Sequence, residues 1–218
     1  MKQFAIYFIP SDKNCYKIGS KIIGYDILSG KKVHASKDAQ AVLAQKLNSK
    51  SSQYGFHMTL TDVVEIEDHL LTNAYERAKF IVSLSIFNNI KLKREKIASM
   101  PNANVLAIQY MKNIKIMLLH FLLVIFVQRM GSDSGYLKQV NGFDTWRKIK
   151  TRLFLSPYIF DDFLPHFSLL QNYVQKNHQS LKKELKAMTE DCNDICLNKI
   201  AFVIRESDEE NFRVFGYL

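Results

Sequence analysis

Two tetrapeptides in this 218-residue chain set a histidine two positions ahead of a hydroxyl residue: His57-Met58-Thr59-Leu60 and His166-Phe167-Ser168-Leu169. In an extended strand, residues i and i+2 project from the same face. His57 and Thr59 therefore share a face, as do His166 and Ser168, while Met58, Leu60, Phe167 and Leu169 point into an apolar layer on the other side. If two such strands lie side by side, two imidazoles and two hydroxyls meet in one cleft. That set suits phosphodiester cleavage without a metal. A neutral imidazole takes a proton from the attacking water or hydroxyl, and a protonated one gives a proton to the leaving oxygen. An ordinary imidazole pKa of about 6.5 lets both forms coexist near neutral pH. The hydroxyls can donate hydrogen bonds to non-bridging phosphate oxygens, where charge is held in the transition state.

The elements that must position these groups are legible around them. Residues 4–9 form an apolar run that predicts a first strand, and residues 10–35, with Gly19, Gly24 and Gly30, read as a polar loop. Residues 36–48 predict a helix capped by Ser36. The first motif lies in a strand over 55–64, followed by a helix over 67–83, a strand around 89–97, a turn at Pro101-Asn102 and a strand over 105–110. A helix over 143–154 ends at Pro157, and the second motif lies in a strand over 164–173. A helix over 178–189 and strands over 196–205 and 211–217 complete the chain. His57 to Val105 and His166 to Val214 are both 48 residues, and the matched order of elements suggests an internal duplication.

The stretch Ile116–Gln128 is uncharged and rich in Leu, Ile, Val and Phe. Its 13 residues span about 20 Å as a helix, short of the roughly 30 Å hydrocarbon core of a membrane. It predicts a helix buried between layers within 115–130. Composition is otherwise globular, with 47% hydrophobic and 23% charged residues, which excludes wholesale disorder and a fibrous chain. The net charge of +9 favours an anionic partner. Cys15, Cys192 and Cys196 give an odd count and a lone C-x3-C, hence neither a disulfide framework nor a zinc site. Reduced thiols and a cytoplasmic location are expected.

The two motifs resemble the paired His-x-[Thr/Ser]-hydrophobic signatures of the 2H phosphoesterase superfamily, which includes RNA 2′,3′-cyclic phosphodiesterases and the so-called 2′-5′ RNA ligases. Ala5-Ile6-Tyr7-Phe8-Ile9-Pro10, Tyr54-Gly55-Phe56-His57-Met58-Thr59-Leu60 and Ser156-Pro157-Tyr158-Ile159-Phe160 resemble a bacterial branch, the DUF1045 family, some of whose members lie in phosphonate-utilisation gene clusters. The chain departs at Thr61, where many relatives carry a basic residue, and at Leu164-Pro165 ahead of the second motif.

The expected fold is α+β: one bilobal domain over residues 1–218, in which two pseudo-symmetric lobes each carry a mostly antiparallel sheet backed by helices. His57 and His166 are the expected catalytic pair, and Thr59 and Ser168 the phosphate-binding hydroxyls. Tyr54 and Tyr158 are candidate substrate contacts by stacking. The other histidines (His34, His69, His120 and His178) and the acidic pair Asp161-Asp162 read as structural or solvated. No metal motif or nucleotide-binding glycine loop occurs, so no metal and no cofactor are expected. The expected activity is hydrolysis of a cyclic phosphate or 2′-5′ phosphodiester of RNA or a nucleotide-like molecule, with no membrane partner. A competing reading is a non-catalytic RNA or nucleotide-binding module that uses the same basic cleft. A third is a protein that exposes part of residues 116–127 to a membrane or a partner. The oligomeric state is open.

Overall fold

The apolar run at the N-terminus becomes β1 (Lys2–Phe8), and its neighbours bury it on both faces: Phe4 to Ile9 are at most 1% exposed. The computed structural model describes residues 1–34, 53–100, 105–171 and 178–218. Among these, β1 joins β4 (Met58–Ile66), β5 (Ile90–Met100), β6 (Val105–Tyr110), β7 (His166–Gln171), β8 (Asp194–Leu197), β9 (Ile200–Arg205) and β10 (Arg213–Tyr217) in one sheet. The order is β10-β9-β1-β4-β7-β6-β5-β8 and every pairing is antiparallel. A separate ribbon pairs β2 (Tyr25–Asp26) with β3 (Lys31–Lys32). The architecture is an α+β fold with an eight-stranded, curled half-barrel sheet. Its curl has a covalent cause. Only Asn198 and Lys199 separate β8 from β9, yet these strands sit in opposite halves of the sheet, so the halves must bend toward each other.

Five α-helices cover the sheet among the described residues: α1 (Lys13–Ile23), α2 (Asp68–Ser83), α3 (Ile114–Phe126), α4 (Thr145–Phe154) and α5 (His178–Met188). Helix α1 corrects the expected loop over 10–35. The Asp12 carboxylate accepts from the amides of Asn14 and Cys15 at its start, and Gly24 ends it in the left-handed region at φ 83°. Gly19 sits inside the helix because it rests on the Phe56 ring, where an added Cβ would lie 2.2 Å from the ring carbon. The strand expected over 196–205 divides into β8 and β9 at Asn198-Lys199, a crossing that no Gly or Pro marks in the sequence. The helix expected over 36–48 and the turn at Pro101-Asn102 lie outside the described residues.

Three further expectations change. The equal 48-residue spacings pair β6 with β10, but β6 lies beside the central β7 and β10 lies at the outer edge, so the match is not a structural equivalence. Cys15 and Cys192 are joined by a disulfide across 177 residues of sequence, tying α1 to the 3-10 turn Glu190–Cys192, and only Cys196 is free. Helix α3 is buried on one side only. Ile116, Leu119, His120, Leu123 and Val124 face the core, while Ile114, Phe121 and Phe126 remain 80%, 38% and 51% exposed. Among the described residues no helix is long and apolar enough to cross a membrane.

Candidate functional site: a two-histidine cleft

Strands β4 and β7 each begin at a motif and run away from each other. Their pairing is confined to Met58↔Phe167 at the two N-terminal ends. Extending that register by one residue sets His57 opposite Ser168 and Thr59 opposite His166. The two histidines are then diagonal neighbours, about 7–8 Å apart at Cα. The alternation is as the spacing predicts: Met58, Leu60, Phe167 and Leu169 are at most 1% exposed, whereas His57, Thr59, His166 and Ser168 are partly exposed on the opposite face.

Both imidazoles are held in the same way. His57 Nδ1 lies 2.9 Å from the carbonyl of Gly55, and His166 Nδ1 lies 2.7 Å from the carbonyl of Leu164. A carbonyl only accepts, so in each ring Nδ1 carries the proton and donates, and Nε2 is the nitrogen left to accept. The Thr59 hydroxyl donates to His57 Nε2 at 3.1 Å. Gly55 has φ +70°, a conformation that turns its carbonyl toward the ring at little strain.

The surroundings of the two rings differ. Tyr7, which pairs with Thr59 across β1 and β4, stacks on His57 with ring centroids 3.6 Å apart. The corresponding neighbour of Ser168 is Ala107, which offers His166 no ring. Burial pushes the His57 pKa down to about 4, and the charge of a protonated His166 pushes it further the same way, against the Gly55 carbonyl. Burial also lowers His166, opposed by the Leu164 carbonyl. Burial thus holds both imidazoles toward the neutral form.

Tyr54 and Tyr158 are half-buried in aromatic groups near the cleft. Tyr54 stacks on Phe212 at 5.5 Å and lies under the Arg205 guanidinium at 5.6 Å. Tyr158 meets Tyr136 edge-on at 5.5 Å and lies under Arg147 at 5.9 Å. Tyr136 is within electrostatic reach of Asp62, Tyr158, Tyr54 and Tyr7, and Asp62 and those phenols hold its pKa well above the phenol range.

Sequence reasoning missed Tyr7, Tyr136 and Asp62. The Asp62 carboxyl is raised to about 6 by burial, against a hydrogen bond with the Ser156 side chain. Its place follows from irregular pairing of β1 with β4. The register shifts between Phe4↔Val64 and Ile6↔Thr61 and again before Tyr7↔Thr59. The extra residues switch the alternation, so that Thr61 is buried and Asp62 turns toward the face of Thr59. Thr61 Oγ1 repairs the ladder by accepting from the Ile6 amide at 2.8 Å. The available signal was the single carboxylate in the strand expected over 55–64.

The remaining candidates lie elsewhere. His34 and His69 are exposed, and His69 meets Glu67 at 3.2 Å. His120 is buried in α3, donates to the Leu60 carbonyl at 2.8 Å and stacks on Phe163. Asp161 and Asp162 lie on a turn where Asp161 stays largely solvated, as expected, and together they hold the buried Lys150 at 2.8 and 2.6 Å. Among the described residues no three His, Cys, Asp or Glu side chains gather as a metal site. A groove of about 890 Å³ between α2 and α3 is lined by none of the motif residues. No protein-family model matches the chain, and no curated protein matches it.

Proposed function

We propose that the chain is a 2H-type phosphodiesterase that opens a cyclic phosphate or hydrolyses a 2′-5′ phosphodiester of RNA or a nucleotide-like substrate without a metal. The observation that carries this reading is the single-pair overlap of β4 and β7, which sets two identically oriented imidazoles and two hydroxyls on one face. The finer fold description, two pseudo-symmetric lobes about that overlap, belongs to the same reading. It is supported by the strand order, in which β1 and β6 flank the central pair and β9 and β5 flank those.

The roles follow from the asymmetry. His57, stacked by Tyr7 and lowered to about 4, stays neutral and is the general base. It removes a proton from water as the oxygen attacks phosphorus. His166 carries the first proton and gives it from Nε2 to the leaving ester oxygen as the P–O bond breaks. The substrate's phosphate charge stabilises that imidazolium, which burial alone disfavours. Thr59, released from His57 Nε2, and Ser168 donate to the non-bridging oxygens.

The test is a turnover screen of 2′,3′-cyclic nucleotides and 2′-5′ dinucleotides in the presence of a chelator. Turnover of at least one of them is expected, and a ring-opened or hydrolysed product should be identified by phosphorus NMR. Absence of turnover of any of them, with salt-dependent RNA binding retained, favours the binding module instead.

A further inference from the structure

Helix α4 wears its amphipathic pattern inside out. Trp146, Ile149 and Leu153 recur at spacings of three and four and so form one stripe. A helix of a globular protein usually buries such a stripe. Here the buried residues are Lys150 and Thr151, at 1% and 0% exposure, while Trp146, Ile149 and Leu153 are 54%, 42% and 53% exposed. Lys150 is held inward by Asp161 and Asp162, and Arg147 meets Asp144 and Asp162.

Those ion pairs engage the three carboxylates around the helix and leave its other cations unmatched. Lys148 and Arg152 on α4 make no ion pair among the described residues. Nor do Arg129 and Lys138 on the 3-10 turns that α4 packs against. Arg129 lies over the Phe154 ring at 5.7 Å. From Phe154 a run of rings passes through Phe160 to the exposed Phe121 of α3, with centroids 5.2 and 5.3 Å apart.

We propose that α4 is a docking helix for an anionic bilayer surface, with Trp146, Ile149 and Leu153 entering the headgroup layer and Arg129, Lys138, Lys148 and Arg152 facing lipid phosphates. This proposal departs from the expectation of no membrane partner and does not rest on the reading of the histidine site. The chemistry selects the occupant. Unpaired cations beside an apolar stripe complement a surface that offers negative charge and hydrocarbon together. Two of the three stripe residues are aliphatic, whereas a single-stranded RNA platform is built from stacking rings.

Trp146 is the chain's one tryptophan, so its fluorescence reports this helix alone. With the 218-residue chain, phosphatidylcholine vesicles containing phosphatidylserine should shift its emission to the blue and sediment the protein. Pure phosphatidylcholine vesicles should do so weakly, and high salt should reverse the effect. The double variant Ile149→Ser/Leu153→Ser should bind those vesicles on the order of tenfold less while unfolding at the wild-type temperature. Lys148→Glu/Arg152→Glu, which alters only surface charge, should weaken binding comparably if the serine variant does not fold. No shift with phosphatidylserine vesicles at low salt would overturn the proposal. So would a shift produced by oligoribonucleotide but not by vesicles, or one that follows protein concentration without vesicles.

Discussion

At the scale of single residues, two depressed imidazoles set the pH behaviour. In the free protein kcat/KM requires His57 neutral and His166 protonated. Burial lowers both from 6.5, His57 to about 4. In this assignment, lowering the pH from neutral increases the protonated fraction of His166, and activity falls again as His57 protonates at about 4. The profile of kcat/KM should be a bell whose maximum lies between about 4 and 6.5, acid of an unperturbed histidine pair. The kcat profile should lie at higher pH, because bound phosphate stabilises the imidazolium. A kcat/KM that climbs steadily above pH 7 contradicts these assignments. The histidines and hydroxyls were legible because period-two spacing alone fixes which side chains share a face. Tyr7 and Asp62 were not, because their places depend on cross-strand register and on a bulge, which no local pattern encodes.

At the scale of elements, what the sequence signalled best were segments with a strong period and a clear stop. The strand Val105–Tyr110 and the helix ending at Ser83 appear where the pattern set them. Helix α1 was hidden by Gly19, whose low helix propensity is outweighed by its close approach to Phe56. Two cysteines 177 residues apart could not be paired from spacing, because their meeting is a property of the fold. That disulfide makes its own prediction. A native disulfide typically contributes about 2–4 kcal/mol. Reduction should therefore lower the thermal midpoint by roughly 5–15 °C in calorimetry. A thiol titration of the denatured, unreduced protein should find one free cysteine per chain. An unchanged midpoint after complete reduction would contradict it.

At the scale of the whole molecule, the join between the two halves of the sheet is also where the motifs meet. Strands β4 and β7 overlap at one residue pair, so the two halves of the sheet meet only where the motifs lie. The order of elements pointed to two related halves, which remains part of the proposal, but the 48-residue match paired strands that hold unequal places in the sheet. The central claim is that His57 and His166 act as one acid–base unit, and single and double alanine variants test it most directly. On whichever cyclic or 2′-5′ substrate the wild type turns over, His57→Ala and His166→Ala should each lower kcat by about 10²–10⁴. The double variant should lose far less than the product of the two, since one missing proton transfer already blocks the route. Thr59→Ala and Ser168→Ala should cost only about 1–3 kcal/mol each in transition-state binding. Strictly multiplicative losses, or single variants that keep wild-type kcat, would contradict the two-histidine mechanism.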